Sequence, residues 1–339
     1  MPNQNQLSRY GSFSRIVPEG VLAPGAKLFL VADSDDTSLG TAPGELERDY
    51  PVDQDGVVRV YTTIQAAVNA CAANRGDVVL ALPNHVENFT RADSWTTAGV
   101  QIIGMGQGEN RAGLTYNDVA ATVHLRGNGI RVSNLMFLAS VDSVAQAINM
   151  DTGFFGQKID NCAFTWDATA DNFQTFIRLG AKESVIEDNR LVAEDTFGGS
   201  KGIRIVGGDP DNALIRRNYI YGSFDSTGDT TSDSTNWGCI AMDTTNIVDT
   251  ILSGLVIQDN VMVQLDSNTP QVVNMGTAGV TIRGIATNNQ MATYDTAEVD
   301  TVAVLWNGLL GVNNFLKTGD SDLRQSIVST TAALLHLDS

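Results

Sequence analysis

Positive charge is what this sequence is short of: 21 lysines and arginines stand against 39 aspartates and glutamates, for a formal net charge of -18. Affinity for a phosphate backbone or an anionic bilayer rests on clustered cations, so neither a nucleic acid nor a membrane is an expected partner. Cysteine is scarce as well. Cys71, Cys162 and Cys239 are too few for a disulfide framework and lack metal-ligand spacing, and each reads as a small buried apolar side chain. No run of about eighteen apolar residues is present to span a bilayer. The opening MPNQNQLSRYGSFSR lacks the apolar centre of a secretion signal, so the expectation is a chain made and kept soluble in a cytoplasm. What is plentiful is glycine, 32 residues, and apolar content, 42% of 339 residues, enough to build a sizeable core.

Along the chain, residues 1–56 read as an arm followed by a loop. The first 25 are polar and broken by Pro18, Pro24 and glycines; AKLFLVAD (26–33) is the first strand, and an Asp-, Gly- and Pro-rich loop follows. The acids of that loop lack the spacing and glycine of a calcium loop. Residues 57–98 hold the strand VVRVY (57–61), a helix over 62–76 and the strand VVLALP (78–83). Thr62 with Gln65 fits a capping box, Ile64, Ala67, Val68 and Cys71 form one apolar stripe, and Gly76 suits a left-handed C-terminal cap. Residues 99–318 are a repeat region, and 319–339 a C-terminal tail.

The repeat is a phrase. IRVSNLMF (130–137), KIDNCAF (158–164), VIEDNRLV (185–192), LIRRNYIY (214–221), LVIQDNVMV (255–263) and LLGVNNFL (309–316) each place an aliphatic residue, a few polar ones, an Asn, and then alternating apolar positions. Asn134, Asn161, Asn189, Asn218, Asn260, Asn289 and Asn314 are separated by 27, 28, 29, 42, 29 and 25 residues. A second series of short strands runs between them: AINM (147–150), FIRL (176–179), GIRIV (202–206), CIAM (239–242), VVNM (272–275) and AVLW (303–306). Two or three short strands in fewer than about 30 residues fit one coil of a parallel β-helix, whereas a propeller blade needs four strands in about 40. Coils stack about 4.8 Å apart, so each aliphatic position lies on its counterpart, and Ile159, Ile186, Ile215 and Ile257 are the expected inward ladder. An Asn at a fixed turn tolerates a left-handed backbone and hydrogen-bonds along the stack. The helix lies where a cap for the first open end is needed.

VRVYTTIQAAVNACAANRGDVVLALPNHVEN (58–88) resembles the opening of pectin-lyase-like right-handed β-helices, in which a capping helix leads through a Gly-Asp turn into the first core strand. With GVQIIGMGQGENRAGLTY (99–116), it resembles more narrowly the β-helix proteins of tailed-bacteriophage virions. The resemblance implies an all-β, right-handed parallel β-helix over about 57–318. Asn84 stands where the family often has Gly, a conservative exchange at a left-handed turn.

Such folds host lyases, hydrolases and inert structural proteins, so any chemistry must be read from residues. A lyase wants carboxylates for calcium, for which Asp167 with Asp171, or Asp225, Asp229 and Asp233, are candidates, and a basic residue on one face, for which Arg178 and Arg204 are candidates as stacked outward neighbours. The plain alternative is that outward strand positions are polar by default. A hydrolase wants two carboxylates about 5–9 Å apart. The loop 221–238, with its aspartates, Phe224 and Trp237, is the candidate sugar platform, against a loop folded on its own aromatics. His85 and Glu87 form the one His–carboxylate neighbourhood in sequence and read as a structural turn; His124 and His336 stand apart. No Ser or Cys sits in a nucleophile elbow, and GMGQGEN (104–110) follows no βαβ unit, so it is no phosphate loop.

The functional expectation is a structural, non-enzymatic phage virion protein with no cofactor and no metal: a capsid decoration or other head-associated protein, partnered by a capsid or tail protein. The rivals are a tailspike-like or secreted polysaccharide lyase or hydrolase, and a non-catalytic carbohydrate-binding fibre. Arg9 and Arg15, the only charges before Glu19, make the arm locally cationic and suit it to an acidic neighbour. Phe154 and Phe155, with Phe173 and Phe176, read as outward apolar residues at a homotrimer contact.

Overall fold

Short strands that alternate apolar and polar positions, each ending at a polar turn, bury their apolar side only by stacking on the next repeat. The computed structural model describes residues 25–32, 60–168, 171–193, 199, 201–206, 209–224, 236–243, 250–266, 271–276, 280–293, 304–305, 307–318 and 321–326. Three parallel sheets of eleven, ten and eight strands run its length, and successive strands of the repeat enter the first, second and third sheet in turn. One coil shows the pattern: Val185–Glu187 lies in the first sheet, Arg190–Val192 in the second and Lys201–Ile205 in the third. The chain is therefore the parallel β-helix expected from its repeat. No helix among the described residues is long and apolar enough to cross a membrane.

The inward ladder falls where the phrase puts it. Ile159 pairs with Ile186, Ile186 with Ile215 and Ile215 with Ile257, all fully buried. Val79, Ile102 and Val132 extend it towards the first end. Along the corner between the second and third sheets runs an aromatic column, in which Phe137 stacks on Phe164 at 4.8 Å between centroids.

The seven asparagines occupy two positions, not one. The left-handed residue of the turn is Asn134, Asn161, Asp188, Arg217, Asp259, Asn288 and Asn313, with φ between 52° and 57°. The following residue points inward and is Leu135, then Cys162, then Asn189, Asn218, Asn260, Asn289 and Asn314. From Asn189 onward these side chains form a buried ladder: each Nδ2 donates to the next Asn Oδ1 at 2.8–3.0 Å, and also to a backbone carbonyl such as Ile186 O. The expected single Asn thus divides its two tasks between neighbours, and the 28-residue gap between Asn161 and Asn189 marks the slip.

The helix is shorter than expected. It spans Ile64–Ala70, and its N-cap is Thr63, whose Oγ1 accepts from Ala66 N at 3.2 Å. The capping box of Thr62 and Gln65 does not form, because Glu87 of the strand Val86–Phe89 accepts from Ile64 N at 3.0 Å and Gln65 reaches the Ser94 carbonyl instead. Cys71 ends the helix in extended backbone, so Gly76, at φ 78°, serves the next turn. Ile64, Ala67 and Val68 are buried against the first coil, the capping role read from the sequence. At the other end Ser321–Ser326 pairs antiparallel with Asn314–Thr318, turning the last edge of the second sheet back on itself.

Candidate functional site

A three-sheet prism offers three outer faces, and the register sorts their side chains. On the first sheet one outward column continues from Lys158 into Val185, Leu214, Val256, Ile285 and Leu310, while ion pairs tie the earlier coils. Arg131 grips Asp160 with two hydrogen bonds of 2.7 Å, and Glu187 accepts from Lys158 and, at 2.6 Å, from Arg216. Burial alone raises the Glu187 carboxyl, but hydrogen bonds from Lys158 and Arg216 outweigh it and hold the group down to about 2. These charges satisfy one another across coils and stiffen the stack.

The third sheet carries a polar row. Register places Ser94, His124, Asn149, Arg178 and Arg204 in one outward column, so the expected stacking of Arg178 on Arg204 is found. His124 Nδ1 lies 3.0 Å from Asp151 Oδ1, and Arg126 bonds the other oxygen of the same carboxylate. Burial raises the Asp151 carboxyl, yet the hydrogen bonds from His124 and Arg126 win and keep it below the ordinary range. In the tautomer that donates its Nδ1–H to Asp151, His124 leaves Nε2 as the acceptor, the geometry a general base uses. Arg178 donates to Asn149 Oδ1 at 3.1 Å, and Arg204 donates to Asp243 at 2.7 Å. This is the one outer face where a base, amide groups and guanidinium groups converge among the described residues. In sequence His124 stands apart from any partner, yet His124, Asn149 and Arg178 follow one another at 25 and 29 residues, one coil each, and that spacing is the signal for the row.

The second sheet is different in kind. One outward column runs Met136, Ala163, Arg190, Tyr219, Val261, Gln290 and Phe315. Beside it stand Leu138 and Thr165, then Tyr221, Val263, Ala292 and Lys317. Across the nine parallel strands of this sheet no outward position holds a carboxylate, in a chain of formal charge -18. Tyr219 and Tyr221 are parallel at 6.3 Å, and the Arg190 guanidinium lies 5.9 Å from the Tyr219 ring centre. A shallow concavity of about 310 Å³ opens among Val261, Val263, Ala292 and Phe315.

The remaining expected residues divide clearly. Asp225, Asp229, Asp233, Arg9 and Arg15 lie outside the described residues. Asp171 accepts from Ala168 N at 3.2 Å, closing its own turn, and among the described residues no group of three or more His, Cys, Asp or Glu side chains is placed to hold a metal ion. Phe155 is exposed and Phe154 half-buried, but Phe173 and Phe176 are core residues, a correction to their outward reading. The segment before Thr175 folds inward, so Phe173 meets Tyr116 edge-on at 5.0 Å and Phe176 meets Phe164 at 5.9 Å. Phe224 is likewise no sugar platform: it is fully buried and meets Phe176 at 6.2 Å. Trp237 is half-buried.

His85 is buried with its Nε2 3.6 Å from Glu87, whose carboxylate holds the first amide of the helix, so the pair is a structural turn, with Asn84 left-handed at φ 62°. GMGQGEN forms a tight turn in which a side chain at Gly106 would run into Asn110 O, explaining its glycine without any phosphate. Cys162 and Cys239 are buried free thiols, and burial pushes Cys162 up to about 12; Cys71 is half-buried, and burial with the nearby Asp77 carboxylate takes it to about 12 as well.

No protein-family model and no curated protein matches the chain. Among solved structures it is similar to alginate lyase from Paenibacillus sp. str. FPU-7, at TM-score 0.47 and 14% identity over 76% of this chain and 95% of that one. It is also similar to the tailspike protein of E. coli bacteriophage HK620 in complex with pentasaccharide, at TM-score 0.43 and 11% identity over 93% of this chain and 68% of that one. A further tailspike structure aligns over 79% of this chain and 61% of that one, at TM-score 0.42 and 13% identity. Rice weevil pectin methyl esterase aligns at TM-score 0.41 and 13% identity over 88% of this chain and 98% of that one. Each similarity is one of chain path, and no residue role passes from these proteins to this chain.

Proposed function

We propose that this chain is a structural component of a tailed-bacteriophage particle, a capsid decoration or other head-associated β-helix, made in the host cytoplasm and carried on the virion. The observation that carries the reading is the largely apolar outer face of the second sheet, whose nine parallel strands hold no outward carboxylate. A protein of this charge that works alone in water gains nothing from such a face, whereas a subunit packed against a neighbour does. The cross-linked coils supply the stiffness a projecting subunit needs, and the phrases 58–88 and 99–116 supply the likeness to virion β-helices. Density-gradient-purified particles of the phage that encodes the chain, washed in high salt and analysed by mass spectrometry, should retain it together with the capsid proteins. Recovery only in the particle-free supernatant would defeat the reading.

A second reading has its own observation, the row of His124, Asp151, Asn149, Arg178 and Arg204 on the third sheet. A base beside guanidinium groups suits an acidic polysaccharide, cleaved by proton abstraction and elimination. Incubating the pure protein with a panel of acidic polysaccharides and following new chain ends tests it. Cleavage abolished by His124→Ala and by Arg178→Ala, at unchanged melting temperature, would replace the structural reading.

A further inference from the structure

We propose that the outer face of the second sheet seats a second copy of this chain, the two faces meeting across a two-fold axis. The inference rests on the structural reading and names the neighbour that reading requires. Three observations carry it.

The first is charge. Two copies at -18 each repel, and the first and third faces carry the part-buried, cation-paired carboxylates Asp160, Glu187 and Asp151. The parallel strands of the second sheet hold no outward carboxylate, so two copies meet there without setting acid against acid. Of its cations, Lys317 stands at the last strand and Arg190 already leans over Tyr219 within the same subunit, which spreads its charge over an aromatic face.

The second is composition. Tyr219, Tyr221, Val261, Val263 and Phe315 form one apolar patch, with Tyr219 39% and Phe315 43% exposed. An aromatic-rich, charge-poor centre is what distinguishes the core of a protein contact from ordinary surface. The concavity between Val261, Val263, Ala292 and Phe315 gives an aromatic ring of the facing copy a place to enter.

The third is area. Nine strands averaging about four residues at the ordinary spacings make a flat face roughly 40 Å by 13 Å, about 500 Å² on each partner and about 1,000 Å² in total. That meets the lower bound for a specific contact and belongs with weak, reversible ones. A flat face of this width is covered completely only by another flat face, as two stacked sheets are, about 10 Å apart. The two-fold contact is proposed in place of the trimer expected from the sequence, two of whose four supporting residues, Phe173 and Phe176, are in the core.

Sedimentation of the pure full-length protein between about 1 and 100 µM, the range in which a contact of this size changes occupancy, tests the proposal. The mass should climb from 36.2 kDa towards twice that value. Tyr219→Glu and Phe315→Glu, made separately so that one folding failure does not void the test, should each hold the protein at monomer mass with its melting temperature kept. Val185→Glu, on the first sheet, should leave the association intact. A wild type that is monomeric at about 100 µM, a limiting mass of three subunits, or association that survives both second-sheet variants overturns the proposal. The two claims separate cleanly: a monomeric protein found on particles, but lost from them on Tyr219→Glu, makes the neighbour a capsid protein. That outcome rejects the second copy while sparing the structural reading.

Discussion

Asn218 shows how much one side chain holds at the residue scale. Its Oδ1 accepts from the backbone and side-chain amides of Asn189, and its Nδ2 donates to Ile186 O and to Asn260 Oδ1, all within the core. Asn218→Ala leaves several of these groups buried and unpaired, and chemical denaturation should show a loss on the order of 3 kcal/mol. Asn189→Cys should cost less than half as much, because the preceding coil already seats Cys162 in that slot. Equal losses would mean that the ladder does not discriminate its end from its middle. Glu187 gives the pH counterpart. Its folded value of about 2 lies below the ordinary carboxylate value, so its contribution is fully present above about 4.3 and is lost as pH falls through about 2. Glu187→Gln should therefore lower stability at pH 7 by about 1–2 kcal/mol, with the gap between variant and wild type closing in thermal melts taken down to about pH 2. A gap that stays constant with pH would show that the Lys158 and Arg216 contacts do not hold the charge.

At the scale of the element, sequence and structure agree where a pattern is enforced by stacking and part where it is decided by a distant partner. The ladder Ile159, Ile186, Ile215 and Ile257 was readable because each coil must repeat the last, and both strand series fall in their sheets. Ile186→Asp should abolish the folded state, an unpaired buried charge costing several kcal/mol; soluble protein with an unchanged melt would overturn the register. The helix ends were not readable, because Glu87, 23 residues away, takes the amide that a local capping box would have taken. Thr63→Ala should cost about 1 kcal/mol, whereas Thr62→Ala should be nearly silent in the same melts. Nor was the fate of Phe173, Phe176 and Phe224 visible, since their neighbours Tyr116 and Phe164 come from other coils. The candidate row on the third sheet was half visible: Arg178 and Arg204 stood out as strand cations, while His124 needed the coil spacing to be applied to a residue with no local partner.

Over the whole molecule the three faces do different work. Paired ions and an apolar column share the first, a half-sheltered polar row lines the third, and the parallel strands of the second are rich in apolar residues and hold no outward carboxylate. Period and composition made the stack legible, but which face is free for a neighbour depends on which of two alternating positions turns outward, and a one-residue slip reverses it. The asparagine moves on by one position between Asn161 and Asn189 while the strand register runs on unbroken, so the asparagines alone misplace the turn. The most direct test of the structural account is a cryo-electron microscopy reconstruction of purified particles. The account predicts ordered density for the β-helix on the capsid, with Tyr219, Val261 and Phe315 covered by a neighbouring chain. Particles that lack the β-helix, or that carry it with this face open to solvent and the row around His124 and Arg178 turned to a bound glycan, would contradict it.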